Sequence, residues 1–290
     1  MEGTYQLVAL DLDGTVLDPS GHVTPRTRRA IAQLVERGVY VCFATGRNHR
    51  ESMHILAEVG HHPRCVFVGG AAVVDTAPDE GDCRLVSSVQ MHAELARELC
   101  GELEALGHAV LALQESFSTG VDYVVTAEVP MNAATTLWMK LTRARVRLEP
   151  RLADFHHSST LRVGVVSSVA EVRQIAELLD RNYGQRIVTH AIAVPAQQVE
   201  VVEVFDPEVS KWQGVLQIAA WRGVPPERVI AVGDDLNDLS MVSSAGLGVA
   251  MGNARSEVKR VAREVIGPNS RDGLAEFLES LVRQGRVTAA

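Results

Sequence analysis

Gln6-Leu7-Val8-Ala9-Leu10-Asp11-Leu12-Asp13-Gly14-Thr15 runs from a short apolar stretch straight into two acids and a glycine. Gln6 to Leu10 reads as a strand covered on both faces, because such strands are brief apolar runs bounded by turn residues. Further along, Pro25 to Arg37 places apolar or small residues at Ala30, Ile31, Leu34 and Val35, which is helical spacing. Thr24 is its expected N-cap, Pro25 its first residue and Gly38 its stop. Val39 to Ala44 and Cys65 to Val68 repeat the strand pattern. Strand, helix, strand with brief loops predicts an α/β protein with a parallel sheet.

The pattern returns late in the chain, with a helix at Trp212 to Trp221, a strand at Val229 to Val232, and helices at Ser256 to Ala262 and Leu274 to Val282. Between the two halves the order changes. Asp79, Glu80, Gly81 and Asp82 form a polar stretch that reads as a hinge or linker. After it, Glu94 to Leu106 is helical, and Ala109 to Leu113 and Val121 to Val125 are strand-like. Leu161 to Val166, Glu171 to Arg181, Arg186 to Thr189 and Val199 to Phe205 then read β, α, β, β. The expected organisation is a core formed by 1–80 and 195–290, interrupted by an α+β domain at 81–194.

A chain of 290 residues buries about three-quarters of its unfolded surface, enough for two such cores. Its 46% apolar content excludes a disordered or collagen-like chain. A net charge of −8 argues against binding a nucleic-acid backbone or an anionic membrane surface. The longest apolar stretch, Cys65 to Val74, is about half of the roughly 20 residues that a transmembrane helix needs. The N-terminus lacks a basic n-region, and Asp11 falls inside any h-region, so a cytoplasmic location is expected. Cys42, Cys65, Cys83 and Cys100 are too scattered for a metal site and read as reduced thiols. The ten histidines show no ligand spacing and read, in the large majority, as loop or surface residues.

Three polar motifs stand at the ends of predicted strands: Asp11 and Asp13 after the first, Thr45-Gly46-Arg47 after the second, and Gly233-Asp234-Asp235 after Val229 to Val232. Open parallel sheets bind ligands beyond the carboxyl ends of their strands, so the three should share one crevice. Two carboxylates aimed at one point repel unless a cation or a proton separates them, and Mg²⁺ suits carboxylates together with phosphate oxygens. One carboxylate could then attack phosphorus while the other moves protons. Alternatively, Asp-Gly is an ordinary turn, and Asp234 to Asp238 are ordinary caps of a helix N-terminus, with Asp235 the first candidate for a bystander. Lys211 is notable because only Lys140, Lys211 and Lys259 among 28 basic residues are lysines. Its ammonium can bind a phosphoryl group as a point charge, or simply begin a helix.

Asp11-Leu12-Asp13-Gly14-Thr15, Thr45-Gly46-Arg47, Lys211 and Gly233-Asp234-Asp235-Leu236-Asn237-Asp238 stand in the order of the haloacid dehalogenase superfamily. The chain resembles its Cof-like branch, and Ala250-Met251-Gly252-Asn253-Ala254, Val258-Lys259 and Asp272-Gly273 resemble that branch's C-terminal signature. The resemblance implies a Rossmann-like, doubly wound core with an inserted α+β cap that sets specificity. It implies a Mg²⁺-dependent phosphomonoester hydrolase acting on a small metabolite, with a sugar phosphate the expected class. Asp11 would be the nucleophile that becomes an aspartyl-phosphate, and Asp13 the acid and then the base, its backbone carbonyl also reaching Mg²⁺. Leu12, Thr45, Gly46, Lys211 and Asn237 would hold phosphoryl oxygens. Asp234 and Asp238 would complete the metal site.

Two positions depart from that pattern. Gly69-Gly70-Ala71 stands where Asn-Gly-Ala is usual, and Lys211-Trp212 where Lys-Gly is usual. Two other functions fit the same residues: a phosphomutase, which returns the phosphoryl group to sugar, and a metabolite-binding protein without turnover.

Overall fold

The protein is described by a computed structural model covering residues 4–76, 83–142, 144–194 and 199–290. In chain order the elements begin with β1 (Leu7–Leu10), α1 (Pro25–Glu36), β2 (Tyr40–Phe43), α2 (His49–Val59), β3 (Arg64–Phe67), β4 (Ala72–Asp75) and β5 (Arg84–Ser88). There follow α3 (Ala93–Ala105), β6 (Leu111–Gln114), α4 (Ser116–Thr119), β7 (Tyr123–Thr126), α5 (Ala133–Thr142), β8 (Val146–Glu149), β9 (Thr160–Ser168), α6 (Val169–Tyr183), β10 (Val188–Val194) and β11 (Val199–Phe205). The last are α7 (Lys211–Arg222), β12 (Val229–Gly233), α8 (Leu239–Ser244), β13 (Leu247–Ala250), α9 (Ser256–Val261), β14 (Glu264–Val265) and α10 (Gly273–Arg283). The chain divides into two compact units, Met1–Ser87 with Ser210–Ala290, and Ser88–Val209. The polar stretch Asp79 to Asp82 lies outside the described residues.

The first unit is built on a parallel sheet in the order β14-β13-β12-β1-β2. Strand β1, flanked by β12 and β2, is buried at every position, as an apolar strand with neighbours on both sides should be. Thr24 caps α1, its side chain accepting the N–H of Thr27, and Gly38 ends the turn with φ +78°. The third predicted strand, Arg64–Phe67, is shared between two sheets: it pairs antiparallel with β4 in a three-stranded sheet and adjoins the parallel sheet just past β2 through a parallel bridge, Ala44 to Val66.

Between β3 and β4 the chain turns through Gly69 and Gly70. A Cβ at Gly70, where φ is +115°, would lie 2.1 Å from the carbonyl oxygen of Ser210. Ser210 is the N-cap of α7, its side chain accepting the N–H of Gln213. Only glycine therefore lets α7 begin at this depth, and Lys211 is its first residue. Gly70→Ala should cost about 2 kcal/mol or more, because strain at positive φ adds to a backbone clash. A melting temperature equal to wild type would contradict that close approach.

The second unit is a six-stranded sheet in the order β10-β11-β9-β6-β7-β8. Its core joins Leu99 and Leu103 of α3 and Val172 and Leu179 of α6 to Val163, Val165, Val202 and Val204 of the sheet. His157 is a loop residue but a buried one. It is 1% exposed, its ring held by the Leu152 carbonyl at 2.8 Å and Thr160 Oγ1 at 2.9 Å. Burial lowers its pKa, so the ring is a neutral, satisfied core residue. Cys42, Cys65 and Cys100 are buried free thiols. Among the described residues no helix is long and apolar enough to cross a membrane.

Candidate active site

Strand register places the site. Leu10 of β1 lies opposite Phe43 of β2 and Val232 of β12, so three chains leave the sheet side by side at their carboxyl ends. Asp11 follows β1 directly, Thr45 follows β2 after Ala44, and Asp234 follows β12. Beyond Asp11 the backbone makes one wide turn, Leu12–Val16, closed by the N–H of Leu17 on the carbonyl of Leu12 at 2.9 Å. Gly14 carries φ +78° in this turn, and a Cβ there would lie 2.2 Å from Asp234 Oδ2. The glycine thus lets the turn close over the acid of another strand.

Lys211 is 1% exposed and sits at the centre. Its Nζ donates to Asp11 Oδ1 at 2.6 Å, to Asp238 Oδ1 at 2.6 Å and to Asn237 Oδ1 at 3.3 Å. Asp238 also caps backbone, its Oδ2 accepting the N–H groups of Asp234 at 2.9 Å and Asp235 at 3.1 Å. The cap and the chemistry-bearing acid are therefore one residue. Asp235 faces another way, accepting the Leu236 N–H and pairing with Arg255 at 2.6 Å. Asp11, Asp234 and Asp238 each offer a carboxylate oxygen within 4.8 Å of the others.

The electrostatics follow from that crowding. Burial first, and then Asp238, hold the Asp11 carboxyl well above the usual carboxylate range. Burial, Asp238 and Asp235 push Asp234 up to about 7. Burial alone would lower the Lys211 pKa, but Asp11 and Asp238 outweigh it and raise it. The ammonium is charged, and it is one cation among three acids.

Asp13 is separate from that cluster. Arg47 takes both of its carboxylate oxygens in a fork, at 2.8 Å and 2.6 Å. Thr45 is fully buried and its Oγ1 accepts the Arg47 N–H at 3.1 Å. Gly46 lies between them, half-buried, and Leu12 is fully buried behind Asp11. The carbonyls of Thr45 and Arg47 are held by the N–H groups of Gly69 and Val68. Both donors are in the left-handed region, with φ +64° and +53°, and for a β-branched valine that is stored strain. Gly69 thus lacks a side-chain amide but fixes the loop through its backbone. Trp212 is buried on α7.

Sequence reasoning did not find the Arg47–Asp13 fork, which joins residues 34 apart. Nor did it give Thr15 or Asn253 a role. Thr15 Oγ1 donates to Asp234 Oδ1 at 3.4 Å, and Asn253 Nδ2 lies 3.3 Å from Asp234 Oδ2.

Comparison with known proteins matches residues 8–278 to the family described as haloacid dehalogenase-like hydrolase. The chain is 28% identical over 294 residues to a 5-amino-6-(5-phospho-D-ribitylamino)uracil phosphatase of Bacillus subtilis, covering 96% of this chain and 98% of that one. It is 27% identical over 289 residues to an HMP-PP phosphatase of Serratia proteamaculans, covering 98% of each. The fold is shared with a solved HAD subclass IIB sugar phosphatase, with TM-score 0.76 and 17% identity over 97% of this chain and all of that one. With the family matched along nearly the whole chain and full-length relatives that are phosphatases, the protein belongs to the haloacid dehalogenase-like hydrolases and is a phosphatase among them.

Proposed function

We propose that this phosphatase hydrolyses a small phosphorylated metabolite, of the sugar phosphate class, with Mg²⁺ and through an aspartyl-phosphate on Asp11. The observation that carries the reading is a charge imbalance: three converging carboxylates face one buried ammonium. A divalent cation closes that balance, and an all-oxygen donor set suits Mg²⁺. Asp11, Asp234 and Asp238, with the backbone carbonyl of Asp13, would hold it. Bound there, Mg²⁺ would neutralise charge on the phosphoryl oxygens.

The chain's own residues carry the steps. Asp11 attacks phosphorus, forming an acyl phosphate as the bond to the leaving oxygen breaks. Asp13 gives that oxygen its proton, for which its carboxyl must leave the Arg47 fork. Water then attacks phosphorus and returns a proton to Asp13, and the bond to Asp11 breaks. Lys211, the Thr45 hydroxyl, the Leu12 and Gly46 N–H groups and Asn237 orient the phosphoryl group. All of these residues belong to the first unit.

The test is phosphate release from sugar phosphates, nucleotides, pyridoxal phosphate, flavin mononucleotide and the ribitylaminouracil phosphate of the Bacillus relative, with Mg²⁺ and then with EDTA. Release that requires the metal and favours sugar-like esters supports the proposal. Conversion of a hexose 1-phosphate to the 6-phosphate with little free phosphate would make the enzyme a mutase instead.

Protons and the cation compete for the same carboxylates. Asp234 binds its proton more tightly in the folded chain, near pH 7, than at its ordinary value of 3.8. Its contribution to stability is therefore fully present below about pH 4 and is lost as pH rises to 7. Mg²⁺ should raise the melting temperature by several degrees at pH 8 and by little at pH 5.5. Equal shifts at the two pH values would contradict the assignment of Asp234 as a ligand.

A further inference from the structure

We propose that Asn253 is a positioning residue for the carboxylate of Asp234, tying it to the wide turn that carries Asp13. The inference rests on the metal-binding role assigned to Asp234 in the proposed function.

Asn253 has one amide and uses both ends of it. Its Oδ1 accepts the backbone N–H of Asn269 at 2.9 Å, which fixes which way the amide faces. Its Nδ2 is thereby aimed at the Gly14 carbonyl, 2.9 Å away, and at Asp234 Oδ2, 3.3 Å away. The Asn269 side chain in turn donates to the carbonyl of Leu17 at 2.9 Å. Two asparagine amides thus hold the turn at its middle, Gly14, and just past its end, Leu17, and one of them also holds the acid. Asp234 receives a second donor from inside the turn through Thr15 Oγ1. Each of its oxygens then has one donor, leaving lone-pair directions for a cation. Partners that orient a metal-ligating carboxylate commonly change metal affinity about 10–100-fold when removed.

Asn253 is exposed, so trimming it should leave folding nearly untouched, and that separates positioning from a merely structural role. The experiment titrates Mg²⁺ into wild type, Asn253→Ala and Asn269→Ala by calorimetry. The same proteins are melted in EDTA and assayed for phosphate release across Mg²⁺ concentrations. Asn253→Ala should weaken Mg²⁺ binding about tenfold or more. Its metal-free melting temperature should stay within a degree or two of wild type, and most of its rate should return at saturating Mg²⁺. Asn269→Ala, which keeps the backbone N–H to Asn253 but frees Leu17, should show a smaller shift in the same direction. An Asn253→Ala protein whose Mg²⁺ affinity is within twofold of wild type overturns the proposal, whatever its rate. So does a lost rate that no Mg²⁺ concentration restores. A wild type that binds no Mg²⁺ overturns the proposed function itself and this inference with it.

Discussion

Asp11→Asn should fold and bind Mg²⁺ weakly but lose turnover by about 10⁴- to 10⁶-fold, the range seen when a hydrolase loses its nucleophile or the residue acting with it. The fold should survive because an amide oxygen at this position can still accept the Lys211 proton, and Lys211 keeps Asp238 as its second partner. Indeed the substitution removes a buried carboxyl already strained by burial and by Asp238. In EDTA at pH 8 the variant should melt no lower than wild type. Kinetics across the phosphomonoester panel, paired with thermal melts, provide the check. Retention of the wild-type rate would mean that phosphorus is attacked by some other group.

Lys211→Met tests the other side of the same balance. Methionine is close to lysine in volume, so packing is nearly kept while the charge is lost. Asp11 and Asp238, both buried, would then face each other with no cation between them. Breaking a buried pair by removing one partner costs about 3–5 kcal/mol, because the remaining charge is stranded. At 2–4 °C per kcal/mol for a chain near this size, the melting temperature in EDTA should fall by roughly 10 °C. The loss should shrink as pH falls, since Asp11 protonates readily. Mg²⁺ should recover part of it by replacing the missing positive charge. Lys211→Arg should not rescue the enzyme, because a planar guanidinium does not fit a position with 1% exposure. A Lys211→Met protein as stable as wild type at pH 8 would show that the ammonium is not what holds these acids together.

What the sequence revealed and what it hid divide along chain distance. The junctions from apolar strand to acid at Asp11 and Asp234 were legible because each is local: a run that must be buried followed by residues that must not. The Thr24 cap and the Gly38 stop were legible for the same reason. Helix α2 was not identified, although Asn48 and Glu51 form a reciprocal capping box and Gly60 ends the helix at φ +74°. Its polar residues, His49, Arg50 and His54 among them, diluted the apolar face. Strand β8 escaped because Val146 and Leu148 are exposed, so it lacks the apolar signature of a covered strand. The antiparallel return of β3 into β4 depends on the positive φ of Gly69 and Gly70, a backbone property that the letters of the sequence carry only as two adjacent glycines. The site's supporting contacts were beyond reach altogether. Arg47 meets Asp13 across 34 residues and Asn253 meets Gly14 across 239, and spacing carries no information at that range.

The central claim is that Asp11 carries the phosphoryl group during turnover. The direct measurement is an acid quench within the first turnover, with Mg²⁺ and the best substrate of the panel, followed by peptide mass spectrometry. The account predicts a phosphoryl group on Asp11 itself, stable in acid, cleaved by hydroxylamine and missing from Asp11→Asn. Rapid turnover with no phosphorylated Asp11 at any quench time, or a phosphoryl group on a serine or on another carboxylate instead, would contradict it.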